Sequence, residues 1–99
     1  MKKINIIKSS RQNKRFRIIM DDGRYFDFGL LNGQTYIDHH NQIKRTNYLK
    51  RHTSNEKEKY LIDNLIPSAA LFSAKILWGK FKTINKNINE LNKLLINKC

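Results

Sequence analysis

"RFRIIMDDGRYFDFG", residues 15–29, decides the fold. Two runs of β-branched and aromatic residues flank an Asp-Asp-Gly break, and the Asp22-Gly23 pair can supply the positive backbone dihedrals of a tight hairpin turn. In the first run Phe16, Ile18 and Met20 share one face of a strand, while Arg15 and Arg17 point the other way. One side of the sheet therefore buries, and the other meets water or a partner. Upstream, "KINIIK" (3–8) reads as a further strand, joined through the polar connection "SSRQNK" (9–14). Downstream, Gly29 and the Asn32-Gly33 turn signal end the sheet region.

From there the periodicity becomes helical. Asn41 is placed to cap "QIKRTNYLKRH" (42–52), on which Lys44, Tyr48 and Arg51 stack at spacings of four and three and form a basic face with one aromatic. "TSNEKEK" (53–59) is a polar connection or a helix start, and Pro67 suits the first turn of a new helix. "PSAALFSAKILWGK" (67–80) predicts a buried helix stopped at Gly79. Thr83 can cap a last helix whose Ile84, Ile88, Leu91 and Leu95 form an apolar stripe. The expected fold class is α+β: a small antiparallel β-hairpin or meander at the N-terminus followed by three or four helices. It forms a single domain over residues 1–99, divided into a β meander (1–34), a basic helix and core helix (35–82) and an amphipathic C-terminal helix (83–99). The expected core is Phe16, Ile18, Leu77, Trp78, Ile84, Ile88, Leu91 and Leu95.

Ninety-nine residues can bury a small core but not a deep lidded pocket. With 20 Lys and Arg against 8 Asp and Glu, the net charge of +12 calls for an anionic neighbour: nucleic acid, a membrane surface or an acidic protein face. The first twenty residues contribute Lys2, Lys3, Lys8, Arg11, Lys14, Arg15 and Arg17 with no acid. The one cysteine, Cys99, allows neither an intrachain disulfide nor a thiolate zinc cluster. No apolar run approaches the roughly 20 residues that span a bilayer, and the first residues are too polar for a secretory signal, so a soluble protein without a membrane span is expected. Heavy use of Lys, Asn and Ile fits an AT-rich genome.

Residues 35–56 hold three histidines, two acids and four strong bases, and so pose the question of catalysis. Adjacent His39 and His40 project in different directions in either regular structure, and no cysteine completes a zinc set with His52. "DHHN" (38–41) superficially resembles histidine-asparagine-histidine nuclease cores, but a basic helix follows where those cores need a further metal ligand. No serine lies in a nucleophile elbow, and no glycine loop cradles phosphate. No catalytic residue, metal ligand or cofactor is expected. Asp38, His39 and His52 read instead as a structural polar network in which Asp38 pairs with Arg45 or Arg51, since buried acids and bases need one another. The remaining positive signal is a basic surface interleaved with aromatics: Arg15, Arg17, Lys44, Arg45, Tyr48, Lys50 and Arg51 as residues for nucleic acid or an acidic partner. Nothing in them resembles a base-reading code, so nucleic-acid binding would be independent of sequence.

Several short elements recur together: Asp22-Gly23-Arg24 with Phe28-Gly29, then Tyr36-Ile37-Asp38-His39, then Arg45 through Tyr48-Leu49 to Arg51-His52 with Glu56 after it, and Ser73 to Leu77-Trp78-Gly79-Lys80. Over roughly residues 3–85 this pattern resembles a family of small, basic, uncharacterised proteins of large DNA viruses and some marine viruses. The chain departs from it at Lys75, where the family usually has an Arg before the Leu-Trp step, and in the added tail 86–99. Lys cannot offer the planar fork of Arg. The resemblance implies association with a virus and, for some relatives, incorporation in the particle. The expected function is a non-enzymatic structural protein of a large DNA virus particle, a minor capsid or capsid-lining component. It would be made in the host cytoplasm or viral factory and would bind acidic capsid proteins or the genome. The alternative is a sequence-nonspecific nucleic-acid-binding protein that compacts or protects viral DNA, with Lys44, Tyr48 and Arg51 at the contact. The C-terminal stripe either packs on the domain's own core or supports self-association.

Overall fold

Runs rich in β-branched and aromatic residues make the N-terminal third an antiparallel meander of β1 (Ile4–Lys8), β2 (Lys14–Met20) and β3 (Tyr25–Leu30), in the order β1-β2-β3. The structure is a computed structural model that describes residues 4–98, so Lys2, Lys3 and Cys99 lie outside it. Ile6 stands opposite Ile18, Ile18 opposite Phe26, and Phe16 opposite Phe28, which gathers the apolar residues on one face. The hairpin turn differs from expectation. Only Gly23 takes a positive φ, at 92°, and Asp22 does not. The loop is therefore three residues long, closed by Met20 N–H donating to Arg24 O at 2.8 Å, while the Asp22 carboxylate accepts from Arg24 N at 3.0 Å.

Among the described residues five α-helices follow, more than the three or four expected: α1 (Tyr36–His39), α2 (Gln42–Thr53), α3 (Glu56–Asp63), α4 (Ala69–Phe72) and α5 (Ile84–Lys98). Asn41 caps α2, its side chain accepting from Lys44 N at 3.1 Å. Asn55 caps α3 by accepting from Lys57 N and Glu58 N, so the polar 53–59 segment is a helix start. Pro67 lies just outside its helix rather than in the first turn, because Ser68 is the cap and accepts from Leu71 N. None of these helices is long and apolar enough to cross a membrane.

The expected single buried helix over 67–80 is not uniform. After α4 the chain widens into a π turn, Ser73–Leu77, in which Trp78 N donates to Ser73 O at 3.0 Å. The core lies between the sheet, this turn and α5. Phe28 and Phe72 pack with centroids 6.0 Å apart, and Ile18, Leu77, Leu91 and Leu95 are fully buried with them. Phe16, Trp78, Ile84 and Ile88, also expected as core, line its margin and stay partly exposed. The α5 stripe thus packs on the chain's own core rather than standing free for a second chain.

Two asparagines on α5 close the structure. Asn92 Oδ1 accepts from Ile4 N at 3.0 Å and ties the first strand to the last helix. Asn87 lies inside the apolar stripe and is 1% exposed. Its Nδ2 donates to Ile76 O at 2.7 Å and Phe81 O at 2.9 Å, and its Oδ1 accepts from Phe81 N at 2.8 Å. Gly79 sits beneath it. A Cβ there would come within 2.2 Å of Lys75 O and 2.6 Å of Asn87 Cγ, so no larger residue fits without moving backbone. Asn87→Ala would leave three backbone groups without their partner: Ile76 O, which is buried, and Phe81 O and N, which are partly buried. A loss of about 3 kcal/mol or more in urea unfolding is expected, against almost none for Asn89→Ala on the exposed face of the same helix.

Candidate functional site

The π turn decides where Trp78 goes. In a regular helix Trp78 N would bond to Ala74 O; the wider turn shifts it to Ser73 O and rotates the residues beyond it by roughly the 100° of one helical step. Leu77 stays in the core while Trp78 swings toward α2, where its ring stacks on Tyr48 with centroids 4.2 Å apart and planes 6° apart. Tyr48 OH lies 2.9 Å from Ser73 Oγ, fastening the middle of α2 to the start of the turn. One helical turn beyond Tyr48, His52 packs on it at 4.1 Å, and on the other side His39 approaches Trp78 at 5.4 Å. Four rings, from His39 through Trp78 and Tyr48 to His52, form a column that joins α1, the π turn and α2.

Arg45 holds the column from below. Its Nε donates to both Trp78 O and Gly79 O at 3.1 Å, satisfying carbonyls at the end of the π turn where a cation is also favoured by the helix dipole. Its guanidinium carbon lies 5.6 Å from the Tyr36 ring. Burial pushes the Tyr48 phenol above its ordinary range, outweighing the opposing bond to Ser73.

The expected polar network is rearranged. Asp38 pairs with neither Arg45 nor Arg51. It forms a bidentate bridge with Arg15 of β2, both bonds 2.7 Å, and also accepts from Thr35 N at 2.8 Å and Thr35 Oγ1 at 2.9 Å. Asp38 thus starts α1 as part of a capping box and clamps it to the sheet. The Arg15 guanidinium, with these Thr35 bonds, holds its carboxyl far below the usual range. His52 Nδ1 sits 2.6 Å from Glu58 Oε2 of α3. His39 Nδ1 accepts from Asn41 N at 2.9 Å, which places the imidazole proton on Nε2, a buried nitrogen with no partner. Asp38, His39 and His52 therefore have separate partners; His39 and His52 meet only through the ring column. No group of three His, Cys, Asp or Glu among the described residues lies close enough to hold a metal ion.

The residues expected on a binding surface divide sharply. On the outer sheet face Arg17 is bound to Asp27 at 2.9 and 3.2 Å and lies over the Tyr25 ring at 4.3 Å, with Ser9 Oγ donating to the same carboxylate. Arg17 and Ser9 lower the Asp27 carboxyl below its ordinary range. Arg15 and Arg45 are engaged as described, and Tyr48 is stacked. Lys44, Lys50 and Arg51 alone among the seven make no side-chain hydrogen bond or ion pair with the described residues. Lys44 and Arg51 border two adjoining clefts beside the Tyr48–Trp78 stack. The larger, about 380 Å³, has Lys14, Arg51 and His52 at its sides. The smaller, about 320 Å³, has Lys44, Asn47 and His39. Gln34, Tyr48, Arg51 and Trp78 border both. Lys14, Gln34, Asn47 and Ser73 were not singled out as site residues from sequence, since nothing in their spacing relates them to α2. Trp78 was assigned to the core because its apolar neighbours are there.

Residues 4–52, a little under half of the chain, match the model of a family of unknown function (DUF5754). The matched segment runs from β1 through His52 and so carries the Arg15–Asp38 clamp and the α2 face, but stops short of the π turn. No curated protein and no solved structure matches the chain.

The Asp38 clamp has a pH signature. With its folded value below the unfolded value of about 3.9, Asp38 contributes stability that is fully present above that pH and is lost as pH falls toward the folded value. Asp38→Asn is expected to lower unfolding stability at neutral pH by about 1 kcal/mol, because solvent screens a bridge that is partly exposed. In urea titrations the gap to the parent protein should stay constant from about pH 7 to 5 and narrow below about pH 4.

Proposed function

We propose that this protein is a non-enzymatic basic binding protein, a small structural component of a large DNA virus particle that docks through α2 on an anionic neighbour, the genome or an acidic capsid protein. The observation that carries this reading is the charge left over once internal pairing is complete. Asp22, Asp27, Asp38 and Asp63 neutralise Arg24, Arg17, Arg15 and Lys59, while Lys44, Lys50 and Arg51 of one helix keep no counter-ion. Exposed like charges on one short helix repel one another, and an anionic surface relieves that cost. The resemblance to small basic viral proteins supports the particle as the setting.

A second reading, a protein that binds and compacts nucleic acid outside an ordered shell, is favoured by a different observation. Aromatic Tyr48 and Trp78 lie beside the free cations Lys44 and Arg51, a combination typical of nucleic-acid grooves.

Proteomics of purified particles is expected to find the protein, and its complete absence would end the first reading. Salt-titrated binding to duplex DNA and to polyglutamate should give steeply salt-dependent affinity for at least one. The triple variant Lys44→Gln, Lys50→Gln, Arg51→Gln should reduce the magnitude of the log–log slope for DNA by about 2 to 3. An unchanged slope would remove α2 from the contact.

A further inference from the structure

The two clefts beside the ring column are unusual in what surrounds them. Lys14, Lys44 and Arg51 bring three positive charges, and no Asp or Glu borders either cleft. None of the three makes a side-chain hydrogen bond or ion pair with the described residues. The neutral polar groups at the rim are also unspent: the carboxamides of Gln34 and Asn47 and the indole Nε1–H of Trp78 find no acceptor, and the indole nitrogen is not buried. His39 adds a protonated Nε2 that is buried without an acceptor at the border of the smaller cleft. Four other guanidinium groups are consumed: Arg15, Arg17 and Arg24 by carboxylates, Arg45 by backbone carbonyls. A concave site with three unpaired cations and no carboxylate, whose neutral polar groups can also donate, selects a ligand that brings acceptors and negative charge.

The apolar part of the site narrows the choice. Tyr48 and Trp78 form a rigid aromatic wall that meets the clefts with its ring edges, since its outer faces are covered by His39 and His52, and Leu77 adds to the wall of the larger cleft. Carboxylates of an acidic peptide would satisfy the cations but leave this wall wet. A phosphate carried on an unpaired base uses both, because the base can lie against the ring edges and accept from the indole Nε1–H while cations hold the backbone, the pairing of charge and aromatic contact found in single-strand sites. The clefts, about 380 and 320 Å³, are of a size to enclose a nucleotide, whereas a duplex presents its phosphates on a broad cylinder with its bases paired inside.

We infer that the clefts beside the Tyr48–Trp78 stack bind a single-stranded nucleic acid, with a backbone phosphate held by Arg51 together with Lys44 or Lys14 and an unpaired base against the edge of the Trp78 indole, whose Nε1–H donates to a base carbonyl. The inference rests on the reading that α2 meets an anion and specifies which anion enters the clefts. It adds a role for Trp78, Gln34 and Lys14, none of which belongs to the exposed face of α2.

Trp78 is the chain's one tryptophan, so its fluorescence reports on this site alone. Titration of the full chain at low salt with a short oligothymidylate should quench and shift the emission saturably. Arg51→Gln should weaken that affinity roughly tenfold, the scale of one charge-assisted hydrogen bond, with the urea midpoint unchanged. Lys93→Gln on exposed α5 should leave it as it was. Four outcomes overturn the inference: no emission change with oligothymidylate, an equal response to polyglutamate of matched charge, an equal response to a duplex of the same length, or saturation by inorganic phosphate alone with affinity equal to that of the strand. Salt-dependent binding of duplex or polyglutamate by a protein whose Trp78 emission never moves would sink the cleft site and leave the α2 docking surface intact. Absence of binding to every polyanion would remove both.

Discussion

The π turn at Ser73–Leu77 is the constraint on which the other features depend, because a widened turn persists only when its surroundings hold it open. Three side chains from two other helices do so. Tyr48 of α2 bonds Ser73 at its start, Arg45 of the same helix collects the carbonyls of Trp78 and Gly79 at its end, and Asn87 of α5 ties Ile76 to Phe81 around it. The turn leaves Leu77 in the core and delivers Trp78 to the surface side of α2. Without the displacement of one helical step, the aromatic wall beside the two clefts would not form.

Charge is distributed by the same economy of contacts. A formal excess of +12 could leave a uniformly repelling surface. Instead the sheet uses its arginines internally: Arg17 crosses to Asp27 on the neighbouring strand, and Arg15 reaches out to clamp α1 through Asp38. Because both bridges are charge-assisted and Arg15–Asp38 is bidentate, they orient elements as well as neutralise them. Three of the cations that remain unpaired among the described residues, Lys44, Lys50 and Arg51, share the rigid helix α2.

Histidine chemistry follows from position rather than from number. His39 is oriented by the Asn41 amide and packed near Trp78, while His52 faces Glu58 and Tyr48. The imidazoles close the two ends of a ring column, and each end belongs to a different helix.

How much of this could be read in advance depended on the range of each interaction. The three strands, the asparagine cap of α2, the alignment of Lys44, Tyr48 and Arg51, and the stripe from Ile84 to Leu95 were legible, because strand alternation, capping and helical periodicity act within a few residues. Local chemistry also misled: Asp22-Gly23 suggested a two-residue turn, yet Gly23 alone takes the left-handed region. Asn87 carried no signal in the sequence, because its three backbone partners come from the π turn and the loop after it, whose path no periodicity reveals. Asp38 was rightly expected to pair with an arginine. Which one depended on α1 folding back beside β2, twenty-three residues away along the chain. By itself, then, the sequence determined the elements, their apolar faces and the sign of the charge. Tertiary structure alone decided the π turn, the placement of Trp78 against Tyr48 and the set of cations left unpaired, since each is settled by packing between segments that are distant in sequence.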